Sequence, residues 1–109
     1  MKLLHEMPPE AILDELERRS DELMRAEDTV AELETNLKAY EATTAIAYRD
    51  SGKSMAEAEA RVRSQPQWAQ MYKSLQMAHA NAARVRRDYR RAEIATDLWR
   101  TQQATHRKV

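Results

Sequence analysis

Hydrophobic side chains recur every seven residues along both halves of this 109-residue chain. In the first half, the two columns of this repeat are Leu16, Leu23, Val30, Leu37 and Thr44, and Ile12, Arg19, Ala26, Leu33, Tyr40 and Ala47. In the second half they are Trp68, Leu75, Ala82, Tyr89 and Thr96, and Met71, Ala78, Val85, Ala92 and Trp99. Two supercoiled helices require such a 3.5-residue hydrophobic repeat. The sequence therefore predicts an all-α fold, an antiparallel two-helix coiled-coil hairpin.

Local signals place the ends of the two long helices within a single helical domain, residues 1–109. Pro9 suits the first turn of a helix, where the missing amide hydrogen is no loss, so the first long helix is predicted over about 9–49. Pro66 opens the second long helix in the same way, over about 66–103. The residues after 103 are expected to form a ragged C-terminus.

A short connecting helix is predicted between the two long ones. Gly52 is the only glycine in the chain, and it lies where a helix commonly ends on a left-handed residue. Ser54 and Glu57 have the spacing of a capping box, which starts a helix. The sequence thus predicts a hairpin turn at these three residues and a short helix over about 54–63.

The Gly-Lys-Ser triplet at 52–54 also matches the end of a phosphate-binding loop. Such a loop needs another glycine five residues earlier, and it lies between a strand and a helix. The corresponding residue is Ala47, and a helical heptad repeat precedes it. We therefore interpret the triplet as part of a turn that ends one helix and begins the next, and we expect no nucleotide or other cofactor.

Acidic and basic residues are segregated, although the formal net charge is zero. Residues 1–50 carry 13 acidic and 6 basic side chains, whereas residues 51–109 carry 5 and 12. Attraction between two halves that lie side by side explains this division, and a basic face for nucleic acid is the alternative. The chain has no cysteine, no apolar run of about 18 residues and no recognisable secretory signal. We expect a cytoplasmic protein without membrane association.

No catalytic or metal-binding constellation is recognisable in the sequence. The chain has three histidines, which are far apart: His5, His79 and His106. None belongs to a Glu-x-x-His or His-x-x-x-His pair, which would place two ligands on one helical face. Asp14, Asp21 and Asp28 fall on the outward edge of the heptad repeat, as a solvated face does. We expect no enzymatic activity, and the sequence indicates no catalytic, cofactor-binding or metal-ligating residues.

Five arginines of the second half form the candidate contact surface: Arg84, Arg87, Arg90, Arg91 and Arg100. The first four are predicted to point away from the seam, with residues 84–91 near Arg25–Glu32 of the first helix. Three interpretations remain open. The arginines are solvated or paired within their own helix, they contact nucleic-acid phosphates, or they bind an acidic partner surface, which includes the first helix of a second copy.

Large side chains exceed what a two-helix seam can bury: Tyr40, Tyr48, Trp68, Met71, Tyr72, Met77 and Trp99. Two helices alone bury one narrow stripe each, which offsets little of the ordering entropy of such a chain. A homodimer of two hairpins would bury more apolar surface. The sequence therefore predicts a four-helix bundle, with the short helix capping one end.

The order of features from residue 40 onward carries a resemblance. A long acidic helix is followed by the Gly-Lys-Ser turn, a short helix rich in alanine and glutamate, and a Gln-Pro-Gln-Trp restart. The chain then ends with a Leu-Trp-Arg-Thr-Gln-Gln run and Arg107. This order resembles small bacteriophage α-helical proteins found among recombination and DNA-metabolism genes. The resemblance implies a phage origin, the cytoplasm of the host cell, and an accessory role near DNA processing.

These observations lead to two functional hypotheses. In the first, the chain is a non-enzymatic helical interaction protein of phage type that dimerises and binds a protein partner, either a phage recombination component or a host factor. The alternative is a nucleic-acid-binding accessory protein that uses the exposed arginine face.

Overall fold

The computed structural model describes residues 8–107, and their side chains up to Thr105. The described chain forms three helices and no strand: α1 over Pro9–Asp50, α2 over Met55–Arg63 and α3 over Pro66–Arg107. Helices α1 and α3 have 42 residues each and pack against each other, and α2 has 9. The predicted all-α helical hairpin with a short connecting helix is confirmed.

Packing divides the chain into two units. The terminal unit comprises the described residues up to Ala26 and from Ala82 onward, and the turn unit is Glu27–Asn81. The terminal unit has a narrow core of Ile12, Ala26, Ala82, Val85 and Thr96. The turn unit buries Leu37, Ala58, Val62 and Leu75. No large side chain in the described chain is completely buried, because paired helices cover only one stripe of each other.

The heptad columns form the seam between α1 and α3 within each unit. Every member of the two α3 columns is buried or half-buried. In α1 the one exception is Ala47, which is exposed, whereas Ala45 and Tyr48 are half-buried. A straight α-helix has 3.6 residues per turn, so its buried face drifts by about 20° per heptad. This drift moves the buried face of α1 away from the Ala47 column as the turn approaches.

A Schellman motif ends α1. Gly52 has φ +97°, and its amide donates to Arg49 O at 2.9 Å. The Lys53 amide donates to Tyr48 O at 3.2 Å, which supplies the wider of the two hydrogen bonds that define the motif. Two carbonyls at the end of α1 are thereby satisfied. Only glycine adopts this backbone angle readily, which explains why the single glycine of the chain lies here.

Helix α2 begins and ends on hydrogen-bonded serines. Ser54 is its N-cap, and Ser54 Oγ accepts a 3.2 Å hydrogen bond from the Glu57 amide. Ser64 closes the helix, and the link to α3 follows at once. In that link, Gln65 Nε2 donates to Tyr48 Oη at 2.7 Å and to Arg61 O at 3.2 Å. One glutamine side chain therefore joins the α2–α3 link to the end of α1.

Helix α3 extends to Arg107, four residues beyond the end predicted at 103. No glycine or proline follows Pro66 to stop the helix. Gln102 and Gln103 are half-buried, and Thr105 Oγ1 donates to Thr101 O at 3.0 Å. The predicted ragged C-terminus is therefore helical up to Arg107, and the rest of that prediction lies outside the described residues.

Crossing a bilayer requires a helix that is both long and apolar. None of the helices within residues 8–107 combines the length and the apolarity needed to cross a bilayer.

Replacing Gly52 with alanine should lower the free energy of unfolding by about 1–2 kcal/mol, because an L-residue is strained at positive φ. A Cβ atom at this position meets nothing within 4 Å, so the cost is one of backbone conformation alone. Urea unfolding at fixed protein concentration measures the change. A D-alanine at the same position, introduced by chemical synthesis, is the matched control and should be tolerated. Equal destabilisation by both would contradict this explanation.

Candidate functional site

The five candidate arginines all lie on α3 in the terminal unit, and all are exposed. The side chains of Arg84, Arg91 and Arg100 are 59%, 80% and 61% exposed. Their exposure follows from the heptad repeat, since Ala82, Val85 and the other seam residues occupy the face that packs on α1. The structure thus brings the predicted set together on one helix, but it gives its members different ionic partners.

Asp88 is the carboxylate around which much of this set is organised. Its side chain is only 24% exposed, and Arg84 Nη1 approaches Asp88 Oδ2 to 3.5 Å. Arg91 Nη1 lies 3.9 Å from the other carboxylate oxygen, and Arg19 Nη1 of α1 lies 3.9 Å from Oδ2. One half-buried carboxylate therefore faces three guanidinium groups. Two of the five candidate arginines are consequently partly neutralised.

Arg19 interrupts the hydrophobic column of α1, and its neighbours explain how the seam accommodates it. Arg19 Nε donates to Glu15 Oε1 at 2.9 Å, and Arg19 Nη1 donates to Glu22 Oε2 at 3.4 Å. Arg18 also donates to Glu15. The hydrogen bond from Arg18, with that from Arg19, holds the pKa of the Glu15 carboxyl below its ordinary value, although partial burial opposes this. The hydrogen bond to Glu15 raises the pKa of Arg19. The seam charge is thus balanced by carboxylates.

The Arg19–Asp88 pair also corrects the predicted register. The sequence placed residues 84–91 near Arg25–Glu32, whereas Asp88 contacts an arginine nearer the start of α1. A heptad repeat specifies which faces of two helices meet, but it does not specify their axial alignment. The connecting segment influences that alignment, and the predicted bounds of its helix do not specify how it packs against α1 and α3.

The remaining candidate arginines differ from these. Arg100 Nη1 lies 3.9 Å from Asp97 Oδ1, but both side chains are well exposed, so the pair contributes little. Arg87 and Arg90 form no ion pair within residues 8–107. The charge available to an external anion is therefore concentrated on Arg87 and Arg90, with the highly exposed Arg91 beside them.

Two apolar residues continue the arginine face toward the C-terminus, and the sequence reasoning missed them. Ile94 and Leu98 are 61% and 51% exposed. They follow Arg84, Arg87 and Arg91 at alternating steps of three and four residues, so all five lie on one stripe of α3. The available signal was the heptad repeat itself, because both residues are large and apolar yet lie outside the two seam columns.

A groove between α1 and α2 is a second feature that sequence reasoning missed. Its apolar lining includes Ala42, Ala45 and Ile46 of α1 with Met55 and Val62 of α2, and its volume is about 500 Å³. Helix α2 forms one wall because Ala58 and Val62 are buried, at 0% and 2% exposure. The apolar residues of α2 provided a sequence signal, since a short helix must pack them against something. We name this feature the α1–α2 groove.

Charged residues also line the α1–α2 groove: Lys38, Glu41 and Arg49 of α1, and Glu59 and Arg63 of α2. Apolar and charged side chains contribute equally to the lining in number, so the groove can make both apolar and ionic contacts.

Within residues 8–107, no cluster of three or more His, Asp or Glu side chains is arranged to hold a metal ion. His79 Nε2 lies 3.3 Å from Glu34 Oε1, with both side chains near the surface of the turn unit. His5 and the side chain of His106 lie outside the described residues. The ring of Trp68 stacks on that of Tyr72, with 5.0 Å between the ring centroids. Aromatic pairs with this spacing are common packing contacts in proteins.

No protein-family model, curated protein or solved structure matches the chain.

Replacing Asp88 with asparagine should lower the free energy of unfolding by roughly 0.5–1 kcal/mol at low salt, because three guanidinium groups lose their shared carboxylate. The loss should shrink in 1 M salt, which screens the interaction. Urea unfolding at both ionic strengths measures it. Asp97→Asn is the matched control, since Asp97 is 78% exposed and pairs only weakly with Arg100. Equal effects of the two substitutions, or no salt dependence, would contradict the role given to Asp88.

Proposed function

We propose that this chain is a non-enzymatic helical interaction protein that forms a homodimer and binds a protein partner. The observation that carries the proposal is the distribution of apolar side chains. Among the described side chains, eight large hydrophobic residues are 43% to 65% exposed: Leu13, Met24, Ile46, Met55, Tyr72, Met77, Ile94 and Leu98. The cores of both units contain mainly small or medium side chains, such as Ala58, Val62 and Ala82.

The free energy gained by burying apolar side chains explains why this distribution supports an interaction surface. Covering a large apolar side chain stabilises a protein by about 1.5–3 kcal/mol relative to leaving it in water. Within residues 8–105 the hairpin leaves eight such side chains exposed, so association with another apolar surface has a substantial driving force. Single exposed hydrophobic residues are ordinary, but Ile46 and Met55 flank a groove, and Ile94 and Leu98 are neighbours on α3. Their grouping supports an interaction surface.

The identity of the protein partner rests on the resemblance described above. We propose that the partner is a phage recombination component or a host factor and that the protein acts in the cytoplasm of the host cell. Helical faces with grouped apolar and charged residues suit such an accessory role, because a partner helix can pack on them without any chemical step. No catalytic residue, cofactor or metal is part of the proposal.

Nucleic-acid binding through the arginine face is the second candidate function. The observation that favours it is the exposure of Arg87 and Arg90, which form no ion pair within the described residues. The carboxylates close to Arg84, Arg91 and Arg100 weaken the case for nucleic-acid binding, because they reduce the positive potential of the arginine face. Such binding would be salt-sensitive and would have little sequence preference.

Sedimentation equilibrium should give a particle of about twice 12.7 kDa, because dimerisation covers part of the exposed apolar surface. The measurement is made over a range of micromolar concentrations, so that a reversible dimer is detected as a concentration-dependent mass. Affinity capture from infected and uninfected host cells then tests for the partner. A mass of 12.7 kDa throughout, with no protein retained, would contradict the proposal.

For the second candidate, replacing Arg87 and Arg91 with glutamate should abolish any retention of labelled DNA or RNA at low ionic strength and leave self-association intact. Arg61→Glu combined with Lys73→Glu changes the formal charge equally, outside this face, and serves as the control. Fluorescence anisotropy at increasing salt measures binding. Absence of binding by the unaltered protein at low ionic strength would eliminate this candidate, and equal loss in both double variants would show that only net charge matters.

A further inference from the structure

We propose that the outer face of α3 in the terminal unit binds an acidic amphipathic helix of a protein partner. This inference rests on the proposed protein-binding function and names the surface and the chemistry of the partner that it takes. The surface lies on one helix within one unit, and we name it the arginine–apolar stripe: Arg87, Arg90, Arg91, Ile94 and Leu98. At 1.5 Å per residue it extends over about 17 Å of α3, which is about three helical turns.

The spacing of the stripe places its residues on one side of α3. Consecutive members are separated by three or four residues, apart from the adjacent pair Arg90 and Arg91. All five side chains are exposed, because the α3 residues that pack on α1 belong to the two heptad columns on the other side of the helix. A partner helix that lies along α3 can therefore contact the whole stripe without displacing α1.

The stripe itself carries three arginines and no carboxylate. Arg87 and Arg90 form no ion pair within residues 8–107. The side chain of Arg91 is 80% exposed, although its Nη1 lies 3.9 Å from Asp88 Oδ1. Asp88 is half-buried and faces two other arginines as well, so it neutralises Arg91 only in part. Positive charge on the stripe is therefore available to the carboxylates of another molecule.

Acidic residues beside the stripe do not reverse its charge. Asp88, Glu93 and Asp97 are the three acids in the range 84–100, which also contains six arginines. Arg100 Nη1 lies 3.9 Å from Asp97 Oδ1, and Glu93 is on the flank next to Ile94. The surface thus has a net positive charge, which favours an acidic partner and disfavours a basic one.

Two apolar side chains favour a protein segment over a phosphate backbone as the occupant. Ile94 and Leu98 are 61% and 51% exposed and lie four residues apart. In the part of the chain that the structure describes, no other two exposed large hydrophobic residues have an i, i+4 relation on one helix. Nucleic-acid phosphates would contact the arginines and leave this pair in water, whereas the apolar side chains of an amphipathic helix would cover it.

The order of residues along the stripe specifies the partner further. The arginines occupy residues 87–91, and the apolar pair follows at 94 and 98. Side chains on one face of a helix recur every three or four residues, so the matching helix has two apolar residues about one turn apart. Its acidic residues lie one to two turns away on the same face. Such charges steer the encounter, and the apolar contacts hold the complex.

A synthetic helical peptide tests this assignment. The peptide has three glutamates in its first turns, followed on the same face by two leucines four residues apart, with alanine and glutamine elsewhere. Fluorescence anisotropy of the labelled peptide with the full chain at low ionic strength should show saturable binding. Two matched peptides, with lysine for glutamate or alanine for leucine, should each bind at least about tenfold more weakly. Equal binding of the three peptides, or no binding of the first, would overturn the proposal.

Paired substitutions in the protein test whether the peptide binds at the stripe. Arg87→Glu combined with Arg90→Glu should weaken binding by at least about tenfold, because the carboxylates of the peptide then meet carboxylates. Ile94→Ala combined with Leu98→Ala should weaken it to a similar extent, because the apolar contact is lost. Unchanged affinity in either double variant would overturn the proposal.

Matched controls change the same chemistry elsewhere. Arg61→Glu combined with Lys73→Glu alters the formal charge equally, and Met24→Ala combined with Met77→Ala removes exposed apolar surface outside the stripe. Both controls should bind the peptide as the unaltered protein does. Circular dichroism checks that every variant retains its helices, which is expected because all the replaced side chains are exposed. Equal losses in the controls and the stripe variants would overturn the proposal.

The outcomes separate this inference from the proposed function. A protein that self-associates but does not bind the peptide would overturn the assignment of the stripe and leave self-association standing. Peptide binding at the stripe by a protein that stays monomeric at every concentration would support the inference and overturn the proposed homodimer.

Two further results would also overturn the inference. Self-association that is lost in the Arg87→Glu and Arg90→Glu protein would assign the stripe to a second copy. DNA that displaces the peptide, with an affinity unchanged by Ile94→Ala and Leu98→Ala, would assign the stripe to nucleic-acid phosphates.

Discussion

The apolar seam between α1 and α3 is the contact on which the other features of this protein depend. The seam occupies one stripe of each long helix. The described side chains outside this stripe are therefore exposed or covered by α2. The seam also tolerates Arg19, because Glu15, Glu22 and Asp88 surround its guanidinium group with negative charge. That compensation draws Asp88 to the side of the seam, where it also faces Arg84 and Arg91. A charge within the seam thereby determines how much of the arginine face stays available to other molecules.

The turn is the second constraint, and it acts through backbone geometry. Gly52 ends α1 in a left-handed conformation, Ser54 caps α2, and Gln65 bonds to Tyr48 across the link. Together these groups hold α2 so that Ala58 and Val62 are buried and the α1–α2 groove is left open beside it. The Gly-Lys-Ser triplet therefore has a clear structural role in helix termination. The functional interest of this region lies in the groove, whose lining includes Met55, the residue that follows the triplet.

The described surface offers two kinds of contact, and they differ in specificity. Arginine side chains at the surface provide long-range attraction that salt weakens, whereas exposed apolar side chains and the α1–α2 groove provide short-range contacts. An interaction protein commonly combines both, with charges that steer the encounter and apolar anchors that hold the complex. The stripe from Arg84 to Leu98 contains both kinds of residue on one helix. This combination is why a protein-binding role is favoured here over binding to nucleic-acid phosphates alone.

Residue order by itself determined the helices, the seam columns and the turn. Periodicity reports which face of a helix is apolar, and the preferences of Gly52, Ser54 and Pro66 for particular backbone angles mark where helices end. Tertiary structure alone decided the alignment of α1 with α3, the extension of α3 to Arg107 and the formation of the groove. It also decided which arginines share Asp88. The physical reason is that axial register and ion pairing depend on distances between residues far apart in the chain, and a local pattern carries no information about those distances.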